Sequence, residues 1–545
     1  MHPLNVVTES NVMIEIGFDS TVASPDPFNL ILLDVLFTEP SGLERCIPAF
    51  WAGDNTWRVR YASAVLGVHS FVSICSDQKN ISLHNRVGIV EIKPYKGENP
   101  LLRHGPLRIA DDQRHFAHAD GTPFFWLGDT WWMGLTKRLT WSDAFQKLTS
   151  NRQSKGFNVV QIVAGLYPDM PAFDERGISE SGFPWEIGYS AMRPQFFDEA
   201  DRKIMYLVAQ GIVPCILGAW GYHLPWLGTE KMKQHWRYLV ARWGALPVVW
   251  AAAGEQTMPW YLSPDKINDR KFLKHEWSEV IQHLREIDGF QHLITTHPQK
   301  SARESVNDPQ LLDFEMQQTG HRSPSKRHAA KAIQGWRAKP TMPVICGESR
   351  YEALAISPPV TTRDTRQAFW AHLLNSGCAG HTYGANGVWQ VNETNLPFGL
   401  SPNGHNWGIT PWDEAMHLPG SHQLAKAKEF LLTLPWHQLQ AVSNLNWFDK
   451  ISGLLLPSMA HEHPIAAAAT PDMTLALYYL LSLKPVMVIV GKFPSHVYAS
   501  WFDPAGGIEK PIAEVPFINT GKLIFTPPGK NADGDIDWVL VLRAK

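Results

Sequence analysis

The chain reads as a multidomain α/β plus β protein, with a central (β/α)8 TIM barrel flanked by N-terminal and C-terminal β-sandwich domains. Three observations predict this class. Helix-like and strand-like segments alternate from Thr140 to about Trp389 and give eight strand candidates, the number a closed parallel barrel needs. Short strands separated by turn signals fill the segments on either side of that alternation. At 545 residues the chain also exceeds what one hydrophobic core serves. The expected boundaries are 1–103 for the first sandwich, 104–440 for the barrel and 441–545 for the second sandwich.

In the first region, "NVMIEIGF", "NLILLDVLF", "WRVRYAS" and "HSFVSIC" are rich in β-branched and aromatic residues, with "SPDPF", "EPSG" and "WAGDNT" as turns between them. The barrel pattern starts at "FFWLGDTWW". In "LTWSDAFQKLTSNRQSKGF", Thr140 and Asp143 have capping-box spacing, and Trp141, Phe145 and Leu148 share a helical face. Gly156 ends that helix, and "FNVVQIV" follows as a buried strand. The unit recurs as "FFDEADRKIMYLVAQG" before "IVPCILGAW", and as "MKQHWRYLVARWG" before "PVVWAAAGE". "KFLKHEWSEVIQHLREIDG" leads to "HLITTH", and "LLDFEMQQTGH", "PVICGE" and "GHTYGANGVW" complete the set. In the last region "MTLALYYLL", "PVMVIVG", "HVYASWFDP" and "DWVLVLRA" read as strands, with "DPAGG" and "PPGKNADG" as turns.

Bulk composition narrows the function. A net charge of −3 gives no electrostatic case for nucleic acid or an anionic membrane surface. No run approaches eighteen uninterrupted apolar residues, so no membrane span is expected. The 23 tryptophans serve a large aromatic core, with a share left for stacking on sugar faces. Cys46, Cys75, Cys215, Cys346 and Cys378 are scattered and form no CxxC, which suggests free thiols, although Cys46 and Cys75 are near enough in sequence to pair. The start, "MHPLNVVTESNVMIEIG", has no signal-peptide pattern, so a cytoplasmic location is expected, or a secreted or periplasmic one if a leader has been removed.

A barrel keeps its active site at the C-terminal ends of its strands. Those ends carry, in order, Asp129 with Trp131, Gln161, Trp220, Glu255, His297, Gln318 with His321, Glu348, and Tyr383 with Asn386 and Trp389. Glu255 ends the fourth strand and Glu348 the seventh, and two carboxylates so placed suit glycoside cleavage. One donates a proton to the leaving oxygen; the other attacks the anomeric carbon or activates water. Asp129, Gln161, His297, Gln318, His321 and Asn386 are candidates for binding sugar hydroxyls. Trp131, Trp220, Tyr383 and Trp389 are candidates for stacking, with core packing as the other reading of each. Glu352 reads as a support, by orienting a neighbour or binding Arg350. Neither HExxH nor a phosphate-loop motif is present, so no metal or other cofactor is expected.

The ordered motifs "FFWLGDTWW", "KGFNVVQIV", "VVWAAAGE", "LITTHP", "QQTGH", "PVICGESRYE" and "GHTYGANGVW" resemble the apiosidase-like glycoside hydrolases, barrel enzymes related to the clan-A retaining glycosidases. "FTEPSG" with "FWAGDNTWRVRY" resembles the β-sandwich often found before such barrels. "WFDPAGG" and "DWVLVL" resemble their small C-terminal β-domain, labelled collagen-binding in some members. The resemblance implies Glu255 as acid/base and Glu348 as nucleophile. Two departures stand out: the clan has Asn before its acid/base, where this chain has Gly254, and well-known apiosidase-like members carry Asp in place of Glu255.

The expected function is a retaining O-glycosidase acting on a plant or microbial oligosaccharide or polysaccharide. The rivals are an inverting glycosidase using the same pair and a non-catalytic carbohydrate-binding or adhesion protein. A polysaccharide lyase, with Tyr383 and His381 as its bases, is a weaker fit. No feature of the sequence names the sugar, the linkage or the number of subunits.

Overall fold

A computed structural model describes residues 4–442 and 466–544. The expected N-terminal domain is two facing sheets. The larger has the order Leu4–Glu9, Val87–Lys93, Gly67–Cys75, Leu33–Thr38, Glu44–Pro48, and the smaller joins Ile14–Asp19, Thr56–Tyr61 and Phe50–Trp51. Leu33, Val35 and Phe37 alternate inward from one strand and meet Val59, Tyr61 and Phe71 in the core between the sheets. The sequence reading misses Leu4–Glu9 and Val87–Lys93, which pair in parallel at one edge.

The barrel strands are β1 (Trp126–Trp131), β2 (Val159–Val163), β3 (Val213–Trp220), β4 (Val249–Gly254), β5 (Ile294–Thr295), β6 (Glu315–Gln318), β7 (Val344–Glu348) and β8 (Gly380–Tyr383). They run parallel in the ring order β5-β4-β3-β2-β1-β8-β7-β6, so the expected (β/α)8 class holds. Seven helices follow them: α1 (Gln146–Ser154), α2 (Pro194–Ala209), α3 (Thr229–Trp243), α4 (Lys266–Ile287), α5 (Ser325–Arg337), α6 (Thr362–Ser376) and α7 (Pro419–Leu432). The connection after β5 has only two short turns, Ala302–Ser305 and Pro309–Leu311. No continuous ladder joins β5 to β6. Isolated bonds close that seam instead: Asp313 N to Ile294 O at 2.8 Å, Thr295 Oγ1 to Phe314 O at 2.9 Å and Gln318 N to Lys300 O at 3.1 Å.

Gly156 has a φ of +74° and turns the chain from α1 toward β2, as its position predicts. The expected capping box at Thr140 does not form. Trp141–Phe145 winds as a π-turn, and the Thr140 side chain makes no capping bond. A reciprocal box is present at α6 instead, where Thr361 Oγ1 accepts from Asp364 N and Asp364 Oδ2 accepts from Thr361 N.

The C-terminal region forms a sheet ordered Gln440–Ala441, Ala466–Ala469, Leu475–Leu480, Trp538–Ala544, Val497–Asp503, Ile508–Pro511, beside the pair Val486–Val488 and Leu523–Phe525. The stretch 443–465, near the expected start of this domain, lies outside the described residues. All five cysteines are free. Among the described residues no helix is long and apolar enough to cross a membrane.

Candidate active site

Glu348 is the last residue of β7, Gln318 the last of β6, and Glu255 follows β4 directly. An irregularity in the β6–β7 register sets Gln318 opposite Glu348 rather than opposite Gly347. The Gln318 amide then reaches both glutamates, donating from Nε2 to Glu348 Oε1 at 2.6 Å and to Glu255 Oε1 at 3.0 Å. Two oxygens bonded to one nitrogen stand no further apart than the two bonds laid end to end. That span, set by one oxygen from each carboxyl, is nearer the ~5–5.5 Å of a retaining pair than the ~6.5–9.5 Å of an inverting one.

The environment separates the two carboxyls. Glu348 is 5% exposed. Its Oε2 accepts the Tyr351 hydroxyl at 2.7 Å and lies 3.4 Å from His297 Nε2, while Oε1 lies 3.2 Å from His321 Nε2. Burial works against its charge, but the two imidazoles outweigh burial and hold the carboxyl well below the ordinary carboxylate range. His321 Nδ1 faces the Ser349 carbonyl at 2.8 Å, so Nδ1 carries a hydrogen. Glu255 has no such partners. Burial, with the negative charges of Glu348 and Asp169, pushes its pKa up to about 8 against the single Gln318 bond. Neighbouring carboxyls with opposed proton affinities are what an acid and a nucleophile require.

Trp220 pairs with Gly254 across β3 and β4, and its ring lies over that residue. A Cβ at position 254 would stand 2.1 Å from Trp220 Cε3, so a side chain there and this indole exclude each other. Trp220 continues into an aromatic wall with Trp132, at 5.4 Å between ring centroids, and with His297, at 6.0 Å. Tyr351 stands between His321 and Trp389, with Trp389 packed behind it against Phe398. Asp169, in the loop after β2, is a third buried carboxyl and accepts the Tyr261 hydroxyl at 2.5 Å. Glu255 and Asp169 both hold positive φ, +40° and +57°, a strained conformation concentrated at functional positions.

Several expected sugar contacts turn elsewhere. Asp129 is fully buried, and its Oδ2 takes Arg152 Nε at 2.6 Å and the Trp131 indole at 2.8 Å. Asp129 and Trp131 therefore point to the helix layer, and strand alternation sends Thr130 and Trp132 the other way. Tyr383 is fully buried and donates to Glu352 Oε2 at 2.6 Å, so it offers no stacking face. Asn386 spends its side chain on Gln390 Oε1, Trp407 O and Thr410 N, which organises the long loop after β8. Gln161 donates to Gly347 O at 2.7 Å and is buried in the barrel, one residue short of Glu348. Glu352 binds neither Arg350 nor Glu348. It accepts from Tyr383, Thr362 Oγ1 and Gly420 N, while Arg350 bonds Asp364 and Ser323 O. The structure gathers Glu255, Glu348, His297, Gln318 and His321 together, with Trp220 and Trp389 in the walls.

Sequence reasoning missed Trp132, Tyr351, Asp169 and Tyr261. Strand parity signals Trp132, since the alternation that turns Asp129 out turns it in. Tyr351 lies within "GESRYE", three residues after Glu348. Asp169 and Tyr261 sit on loops with no periodic signal.

The family model described as "Apiosidase-like, catalytic domain" matches residues 110–438, more than half of the chain. A "Domain of unknown function (DUF5060)" matches 11–76, and a "Putative collagen-binding domain of a collagenase" matches 454–543. No curated protein matches the chain. Among solved structures, a glycoside hydrolase family 5 protein from Bacteroides vulgatus is similar at 21% identity, TM-score 0.67, over 83% of this chain and 95% of its own. A structure titled "Glycoside hydrolase" is similar at 22% identity, TM-score 0.65, over 83% and 99%. A second Bacteroides vulgatus structure, at 17% identity and TM-score 0.69, spans 99% of this chain and 100% of its own. At these identities the likeness is one of fold.

Proposed function

This chain belongs to the apiosidase-like family, and on that footing we propose that it is a retaining O-glycosidase acting on an oligosaccharide or polysaccharide. The observation that carries the reading is the Gln318 amide shared by two glutamates of opposed proton affinity. Glu348, ionised, attacks the anomeric carbon. The bond to the leaving oxygen breaks as Glu255 gives that oxygen its proton. Glu255, now a carboxylate, takes a proton from water; the water attacks the anomeric carbon and frees Glu348. Each half-reaction moves negative charge from one glutamate to the other, and Gln318 hydrogen-bonds both throughout.

Tyr351, His297 and His321 fix the direction in which Glu348 attacks. Trp220 supplies an apolar face beside the pair. An inverting mechanism is disfavoured by the close approach of the two carboxyls.

The test is sugar release from a panel of plant and microbial glycans by wild type and Glu348→Gln, with folding followed by circular dichroism. Release that vanishes in the folded variant supports the reading. Release that persists removes Glu348 as nucleophile. Glycan binding by both proteins with release by neither favours the carbohydrate-binding alternative.

A further inference from the structure

We propose that Asp169 is a sugar-binding residue and that it makes the cleft select neutral, hydroxyl-rich sugars over uronates, an assignment that rests on the glycosidase reading above. Its loop is built to hold one carboxyl in place. The Tyr222 hydroxyl bonds Tyr167 O at 3.0 Å and Met170 O at 2.9 Å, and Arg176 Nη2 donates to the Asp169 carbonyl at 3.2 Å. The side chain, on a residue 5% exposed, accepts from Tyr261 and lies beside the Trp407 indole. Burial and the negative charge of Glu348 raise its pKa above the ordinary carboxylate range, and its own charge helps to raise that of Glu255.

Among the described residues, no lysine or arginine forms an ion pair with any of these three carboxylates. The nearby Arg176 is taken up by Asp174 and by backbone carbonyls. A buried carboxyl without a cation is held toward its protonated form, as Asp169 is, and donors from a ligand favour the charged form instead. A carboxylate accepts about four hydrogen bonds, so the Tyr261 hydroxyl leaves acceptor capacity for sugar hydroxyls.

Buried groups of the cleft without a hydrogen-bond partner among the described residues include Gln318 Oε1, an acceptor, and the Trp220 indole N–H, a donor. Hydroxyls donate and accept, so a polyol satisfies Asp169, Gln318 and Trp220 together. A uronate would add a negative charge beside ionised Glu348 and the Asp169 carboxyl, where no lysine or arginine receives it. Trp226 and Trp260, 4.8 Å apart and partly exposed beside Tyr261, offer an apolar edge for the sugar's C–H face.

The experiment compares wild type, Asp169→Asn and Asp169→Ala on neutral glycosides, on the matching uronides and on a deoxy series of the best neutral substrate. Asparagine keeps the shape and an acceptor for Tyr261. The expected result is a KM raised about 10- to 100-fold in Asp169→Asn, the loss of a hydrogen bond to a charged group, with a smaller change in kcat. One deoxy substrate is expected to bind wild type and variant equally, which names the hydroxyl held. Wild type is expected to prefer the neutral member of each pair, and Asp169→Asn to narrow that preference. An unchanged KM in Asp169→Asn, or a wild type that prefers uronides, overturns the proposal. Calorimetric binding of neutral oligosaccharides separates the two readings. Binding weakened by Asp169→Asn without sugar release by wild type keeps the Asp169 assignment and sinks the glycosidase. Neither binding nor release overturns both.

Discussion

Glu255 and Glu348 are the same residue type at equivalent strand ends, and neighbours alone divide their roles. Glu348 has a tyrosine hydroxyl, an amide and two imidazoles around it; Glu255 has one shared amide and two like charges. The activity profile follows. Glu255 must be protonated and Glu348 ionised, so activity falls as pH rises through about 8. No acid limb is expected in the ordinary carboxylate range, because Glu348 stays ionised below it. Tyr351→Phe removes a donor to Glu348 Oε2, and steady-state kinetics are expected to find kcat/KM lowered about 10- to 100-fold.

Stability carries its own signature. An unfolded glutamate loses its proton near pH ~4.3, whereas folded Glu255 keeps it to about 8. The stabilisation this difference contributes is complete below the unfolded value and is lost as pH rises through the folded one. Glu255→Gln removes that dependence. Thermal unfolding is expected to find the variant gaining steadily on wild type from pH 5 to 8.

At the scale of strands and loops, the sequence was most legible where a strand stops. The residues that end β4, β6 and β7 were identified from the position of the last apolar residue, because parallel barrel strands are buried on both faces and their runs end abruptly. Facing direction was harder to read. In "GDTWW" parity puts Asp129 and Trp131 on one face and Thr130 and Trp132 on the other, and the Arg152 pair on Asp129 decides which face enters the site. Loop residues such as Asp169 gave no signal, since their positions depend on contacts from distant elements. Asp129 and Glu352 are therefore predicted to act through stability. Asp129→Ala leaves Arg152 buried without its partner, and denaturant unfolding is expected to record a loss of about 3–5 kcal/mol. The KM of the folded fraction is expected to stay at the wild-type value, unlike that of the Asp169 variants.

Across the whole molecule, the flanking domains attach to the barrel through buried arginines. From the N-terminal side, Arg60 pairs with Asp201 of α2 and donates to Arg242 O of α3 at 2.7 Å. On the other side Arg366 of α6 reaches into the "NADGDID" turn. It bonds both Asp537 oxygens at 2.9 and 2.7 Å, Asp535 at 2.7 Å and Asp533 at 3.1 Å. That run reads in sequence as a turn, and nothing in it announced a socket for an arginine from a helix some 170 residues earlier. Arg366→Ala strands three carboxylates around an empty centre. Calorimetry is expected to resolve one unfolding transition into two as the C-terminal sheet loosens from α6.

The most direct measurement of the central claim is the anomeric configuration of the first sugar released, followed by NMR within the first turnovers of wild type alongside Glu348→Gln. The account predicts a first product that retains the substrate's configuration and no product from the variant. A first product of inverted configuration, or release by Glu348→Gln at the wild-type rate, would contradict it.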